Sequence, residues 1–323
     1  MKSHRNLILQ WAEQGHLAAG RAEEAMRVSG ALPDRGDWHR FIDRLLLWSG
    51  TVSVAAGGIF FFAYNWQEMG DFARFGLVEL LIAVAVVCCL RFGMDNPAGK
   101  ASLLAASVFA GALLALFGQT YQTGADTFDL FVTWAVAILP WTAVGRLPVL
   151  WILLTGLVNI AITLYFHAFP SLFGLLFGTE EQLWLLFGFN SFALLLWEFF
   201  SRHVVWLRER WAVRLLGLAD GGLVTALALM AIFDDNVGFN AAFIVYPLWL
   251  AAIYVSYRRI VFDLFMLAGA VLSVVIVVAA ILGRVLLEGG DSGIAYLFIG
   301  LAVIGLSALG GLWLKKISRE EGR

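Results

Sequence analysis

Residues 109–141 read FAGALLALFGQTYQTGADTFDLFVTWAVAILPW: two apolar runs with the polar stretch Gly118 to Asp126 pinned between them. The first run reaches back to Ala101 and the second forward to Val144, so each is long enough to cross a hydrocarbon layer as a helix. The same pattern recurs along most of the chain. Of 323 residues, 61% are hydrophobic and only 14% charged, against roughly 25% charged in soluble domains. Strands of a membrane barrel would alternate apolar and polar residues, and these runs do not. The fold class expected is an all-α polytopic membrane protein.

Ten spanning runs can be counted: Leu45–Tyr64, Phe72–Phe92, Ala101–Phe117, Phe128–Val144, Val149–Phe166, Leu183–Phe200, Trp211–Phe233, Phe239–Tyr257 (interrupted by Pro247), Val261–Leu282 and Gly293–Leu314. They divide the chain into five parts. Residues 1–43 form a cytoplasmic amphipathic segment, 44–166 a first membrane half of five helices, and 167–182 a re-entrant or interfacial piece. Residues 183–314 form a second half of five helices, and 315–323 a basic tail. The middle of the 167–182 piece, Phe169 to Gly178, is apolar but too short to span.

In the first 43 residues, Leu7, Ile8 and Trp11 recur at helical spacing, Gly15 breaks the pattern, and Arg21 to Val28 resumes it. Two short helices joined by a turn and ended near Gly30 and Pro33 are expected. Glu13, Glu23 and Glu24 interrupt any basic stripe, so a docking hairpin is favoured over a DNA-reading one, and no nucleic acid is expected as a partner.

Placing the N-terminus in the cytoplasm and alternating sides puts twenty of the 22 basic residues on the cytoplasmic side, leaving only Arg74 and Arg284 outside. Basic residues set orientation, so both termini are expected inside. The outer connections are acidic (Glu68, Asp71, Asp126, Asp129, Glu180, Glu181, Asp234, Asp235, Glu288, Asp291), which suits plain solvation or attraction of cations.

Charged groups within a bilayer cost roughly 2.5–3.5 kcal/mol at a helix centre and are functional candidates by default. Glu79 and Asp220 qualify, either as proton- or ion-coupling groups or as hydrogen-bonded ties between helices. Gly221 and Gly222 after Asp220 could loosen the helix there, as in the broken helices of transporters. Glu198 and Arg202 form an i,i+4 pair. Small residues spaced by four, Ser49/Ser53/Gly57 and Ser107/Gly111/Ala115, make smooth faces for close helix approach. Cys88 and Cys89 are adjacent, which suits neither a metal clamp nor a disulfide. Patterns for zinc, phosphate-loop or nucleophile chemistry are absent from the sequence, so no catalytic residue, metal or cofactor is expected.

Three stretches resemble a bacterial membrane family catalogued as domain of unknown function 2157. They are Trp11–Leu17 (W-A-E-Q-G-H-L), Phe62–Trp66 (F-A-Y-N-W), and Gly118–Asp126 (G-Q-T-Y-Q-T-G-A-D) with Leu130, Phe131 and Trp134 downstream. The resemblance covers about the first half of the chain and implies a bacterial inner-membrane protein with a short cytoplasmic N-terminal segment. It implies no substrate.

By topology, Tyr64, Asn65 and Trp66 emerge on the outer side, as do Gln119, Tyr121, Gln122 and Asp126. Amides, phenols, a carboxylate and flat rings suit a small polar solute or lipid headgroup, and equally a plug between helices. Asp126 also suits the N-cap of the next helix. Two functions follow. One is a transporter or permease with an outward-facing polar site, in which Glu79 or Asp220 faces a polar cavity. The other is a non-catalytic scaffold or sensor, in the lipid bilayer, whose N-terminal segment binds a protein partner.

Overall fold

The computed structural model describes residues 4–18, 21–30, 35–64, 70–121, 124, 126–168, 179–234, 240–287 and 292–321. All regular structure among them is helical. Helices α1 (His4–Glu13) and α2 (Ala22–Val28) pack on each other and bury Ile8. Gly15 and Gly30 follow them with φ of +75° and +68°, a left-handed conformation that glycine adopts without a Cβ clash, so each helix stops there.

The long helices are α3 (Arg35–Tyr64), α4 (Asp71–Phe92), α5 (Pro97–Tyr121), α6 (Thr127–Gly145), α7 (Pro148–Ala168), α8 (Thr179–Ser201), α9 (Arg210–Phe233), α11 (Leu264–Leu287) and α12 (Ser292–Glu321). These nine are long and apolar enough, among the described residues, to cross a membrane. The remaining expected run is α10 (Ala242–Val255), 14 residues long and continued by five residues of π-helix, Ser256–Ile260. Pro247 does not interrupt it: the proline lies in the second turn, where its missing N–H removes one bond to the carbonyl of Phe243. The expected re-entrant piece lies mostly outside the described residues, since α7 runs to Ala168 and α8 starts at Thr179. The basic tail is helical through Lys315, Lys316 and Arg319, as part of α12.

The chain divides into two compact units, residues 1–109 with 316–323, and residues 110–315. In the first, Phe109 lies over Gly58, where a methyl group would meet its ring at 3.0 Å and Leu81 at 3.6 Å. The Ser49/Ser53/Gly57 face is exposed instead, so the close approach uses the glycine next to the one the spacing selects.

In the second unit, neighbouring helices alternate in direction. The contacts Phe128–Tyr165 (α6–α7), Asn159–Asn190 (α7–α8), Ser191–Asp220 (α8–α9) and Asp220–Trp249 (α9–α10) pair residues that approach each other along the chain. By contrast, α9 and α11 run parallel on either side of α10, as Arg214–Asp263 and Thr225–Ser273 show. One end of this unit therefore carries Arg146, Arg202, Arg208, Arg210, Arg214, Arg258 and Arg259. The opposite end carries Asp126, Asp129, Glu180, Glu181 and Asp234. Arg284, a basic residue at the acidic end, donates to the carbonyls of Ile232 and Asp234 and so caps α9.

Gly111 of α5 receives the indole of Trp134 so closely that an added Cβ would overlap the ring. Gly111→Leu is therefore expected to destabilise the protein by about 1–3 kcal/mol through overpacking. Gly118→Ala, where a Cβ meets nothing, is expected to be neutral or slightly stabilising. Thermal melting of the purified full chain in detergent separates the two.

Candidate functional site

Asp220 sits in mid-α9 with 1% of its surface exposed. Ser191 Oγ on α8 donates to its Oδ1 at 2.6 Å and Trp249 Nε1 on α10 donates to its Oδ2 at 2.7 Å. Both carboxylate oxygens thus have a donor, and three helices are tied at one point. Gly221 does not loosen α9, which is continuous from Arg210 to Phe233. Its role is spatial: a Cβ there would meet the Trp249 ring at 3.2 Å, so glycine lets the indole lie against the helix and reach the carboxylate.

Further polar pairs flank this one. Asn159 and Asn190 exchange hydrogen bonds at 2.6 and 3.3 Å. One turn beyond Asp220, Thr225 Oγ1 and Ser273 Oγ are 2.7 Å apart, and Tyr246 Oη is 2.9 Å from Ser273. A cleft of about 520 Å³ between α9, α10 and α11 is lined by Gly217, Gly221, Gly222, Thr225, Trp249 and Ser273 among others. Glu79 is exposed on α4 and makes no hydrogen bond among the described residues.

A second cluster closes the basic end. Arg210 Nη1 donates to Glu198 at 2.9 and 3.2 Å, and its Nε donates to Asp263 Oδ2 at 3.1 Å. Arg214 Nε donates to the same carboxylate at 3.2 and 3.3 Å. The Arg210 guanidinium also lies 5.6 Å from the centre of the buried Tyr257 ring. Asp263 is 3% exposed and its Oδ1 accepts from the backbone N–H of Phe265 at the start of α11. The expected Glu198–Arg202 pair is not made. Arg202 lies just past the end of α8 and is exposed, whereas Glu198 turns to the first residue of α9. Sequence reasoning missed Asp263 altogether, although an aspartate directly before the apolar run Leu264–Leu267 is an N-cap signal.

The residues expected to face outward are found in both units. Tyr64, the last residue of α3, is 90% exposed, while Asn65, Trp66 and Gln122 lie outside the described residues. Gln119 and Tyr121 are exposed on the last turn of α5, with the Tyr121 ring 4.8 Å from that of Phe117. Asp126 is the N-cap of α6: its extended backbone follows Gly124 (φ +67°), and its N–H donates to Asp129 Oδ2 at 3.1 Å in a capping box. Cys88 and Cys89 are free thiols. Among the described residues no three His, Cys, Asp or Glu side chains converge as metal ligands would.

Removing the Asp263 carboxylate leaves two arginines facing each other. Asp263→Ala is expected to cost about 3 kcal/mol, in the range for breaking a buried pair. Arg27→Ala, which breaks an exposed pair with Glu23, is expected to cost under about 0.5 kcal/mol. Melting of the two variants in detergent, with retention of a single oligomeric species as the control, checks the contrast.

No curated protein and no solved structure matches this chain. A family model does: residues 9–151 match the family described as "Predicted membrane protein (DUF2157)", the same family that the N-terminal motifs resemble, and that part of the chain is therefore similar to these membrane proteins.

Proposed function

We propose that the chain is a non-catalytic scaffold or sensor of the bacterial inner membrane, with both termini in the cytoplasm, whose hairpin α1–α2 binds a protein partner. The observation that carries this reading is the enclosure of Asp220 by Ser191 and Trp249. The best intramembrane candidate for ion coupling is engaged as a helix tie, like the Asn159–Asn190 and Thr225–Ser273 pairs around it. Around its buried Ile8, meanwhile, the hairpin leaves Leu9, Trp11 and Val28 exposed among the described residues, an apolar surface. The arginine-rich end of residues 110–315 supports the cytoplasmic assignment by the positive-inside rule.

A photo-crosslinking residue placed at Trp11 or Val28 in intact cells tests the hairpin. The expected result is a discrete protein adduct at these positions that is absent when the same probe replaces exposed Phe192 of α8. Adducts to lipid alone, or equal adducts at all three positions, would overturn the proposal.

A second reading, a small-molecule transporter with an outward-facing polar site, is favoured by one feature: the cleft beside Asp220, with Thr225, Ser273 and Trp249 on its wall. In proteoliposomes holding a pH-sensitive dye, a proton-coupled carrier is expected to pass protons, and Asp220→Asn to abolish the flux. Flux equal to that of protein-free vesicles removes this reading.

A further inference from the structure

A different cleft borders α8. It has a volume of about 620 Å³, within the roughly 300–1,000 Å³ typical of ligand pockets, and runs between α6, α7 and α8. Its walls are apolar and aromatic, with Val136, Leu139, Phe189, Phe192, Leu196 and Phe200 among them. At the basic end of the unit it is closed by the segment after α8, which contributes Val204, Trp206 and Leu207. That segment is fastened in place: Trp197 Nε1 donates to the carbonyl of Leu207 at 3.1 Å.

Two polar features belong to this end of the unit. Trp151, also on the wall, has a buried indole N–H with no hydrogen-bond partner among the described residues. It lies three residues into α7, about 4.5 Å from the start of the helix at Pro148, a depth at which the hydrocarbon gives way to the polar interface. An unsatisfied buried donor of this kind is costly unless something accepts from it. Arg202 and Arg208 flank the lining residues Val204 to Leu207 in the closing segment, both exposed, with Arg208 Nη2 reaching the backbone carbonyl of Arg202 at 3.5 Å. Among the described residues neither arginine forms an ion pair. The nearest acids in sequence are engaged elsewhere, Glu198 with Arg210 and Glu209 with the indole of Trp211.

We propose that this cleft binds one anionic phospholipid of the surrounding bilayer. Its acyl chain fills the aromatic trough, an ester carbonyl accepts from Trp151 Nε1, and its phosphate is held by Arg202 and Arg208. The aromatic trough, the Trp151 donor and the two arginines of the closing segment offer in turn what a chain, an ester and a phosphate require. The charge of the arginine pair selects an anionic headgroup over a zwitterionic one.

Native mass spectrometry of the full-length protein, delipidated and then given equal phosphatidylglycerol and phosphatidylcholine of the same chain length, tests this. Wild type is expected to retain phosphatidylglycerol in preference. Arg202→Gln and Arg208→Gln are each expected to reduce that preference about fivefold, the factor for one basic residue near the surface. Trp151→Phe keeps an aromatic side chain and removes the N–H, and is expected to weaken retention of both lipids. Arg259→Gln, at the same end but on the π-helical turn, is expected to leave the preference unchanged, and a single monodisperse species shows that each variant is folded. Equal retention of the two lipids by wild type would mean a neutral lipid filler and would overturn the proposal, as would retention of neither, which would leave the cleft to another helix. An equal effect of Arg259→Gln would reduce the preference to a diffuse basic belt and overturn it too.

Discussion

Hydrocarbon offers no hydrogen bonds, so a polar group carried into it must be matched by another group of the same protein. That requirement shapes residues 110–315. The Asp220 carboxylate has one donor for each oxygen, from two different helices. Asn159 and Asn190 satisfy each other, Thr225 and Ser273 share a hydrogen bond, and Arg284 takes up carbonyls left over at the end of α9. Each such pair also fixes the register of two helices, because the partners meet in only one sliding position.

Close packing accomplishes the rest. With lipid tails as apolar as leucine, helices gain little by hiding apolar surface from one another, and contact depends on how near the backbones come. Aromatic rings over glycines recur for this reason: Phe109 on Gly58, Trp134 against Gly111, and Trp249 against Gly221. The last of these joins the two themes, since the missing side chain at Gly221 lets the Trp249 indole approach the carboxylate one residue away.

The buried polar groups of this unit are matched to one another and act as ties between its helices. The features left over lie at the ends of the helices: exposed apolar residues on the hairpin α1–α2, exposed arginines after α8, and the Trp151 donor near the start of α7, without a partner among the described residues. Function in such a protein is expected where the structure still has unmatched chemistry.

Composition and run length were enough to identify a helical membrane protein, because hydrophobic length is a local property that no tertiary contact can alter. The N-terminal helix pair was legible from glycine breaks, and the Asp126 cap from its place before an apolar run. The partners of Asp220 were not legible. Ser191 and Trp249 each lie 29 residues from it, and only helix register decides which polar side chain faces which. The same limit hid the Glu198–Arg210–Asp263 cluster: sequence spacing pointed Glu198 at Arg202, but α8 ends at Ser201 and the carboxylate meets α9 instead. Solvent and topology class follow from each segment alone, whereas the pairing of buried charges depends on how separate segments rotate against one another, which only the folded chain specifies.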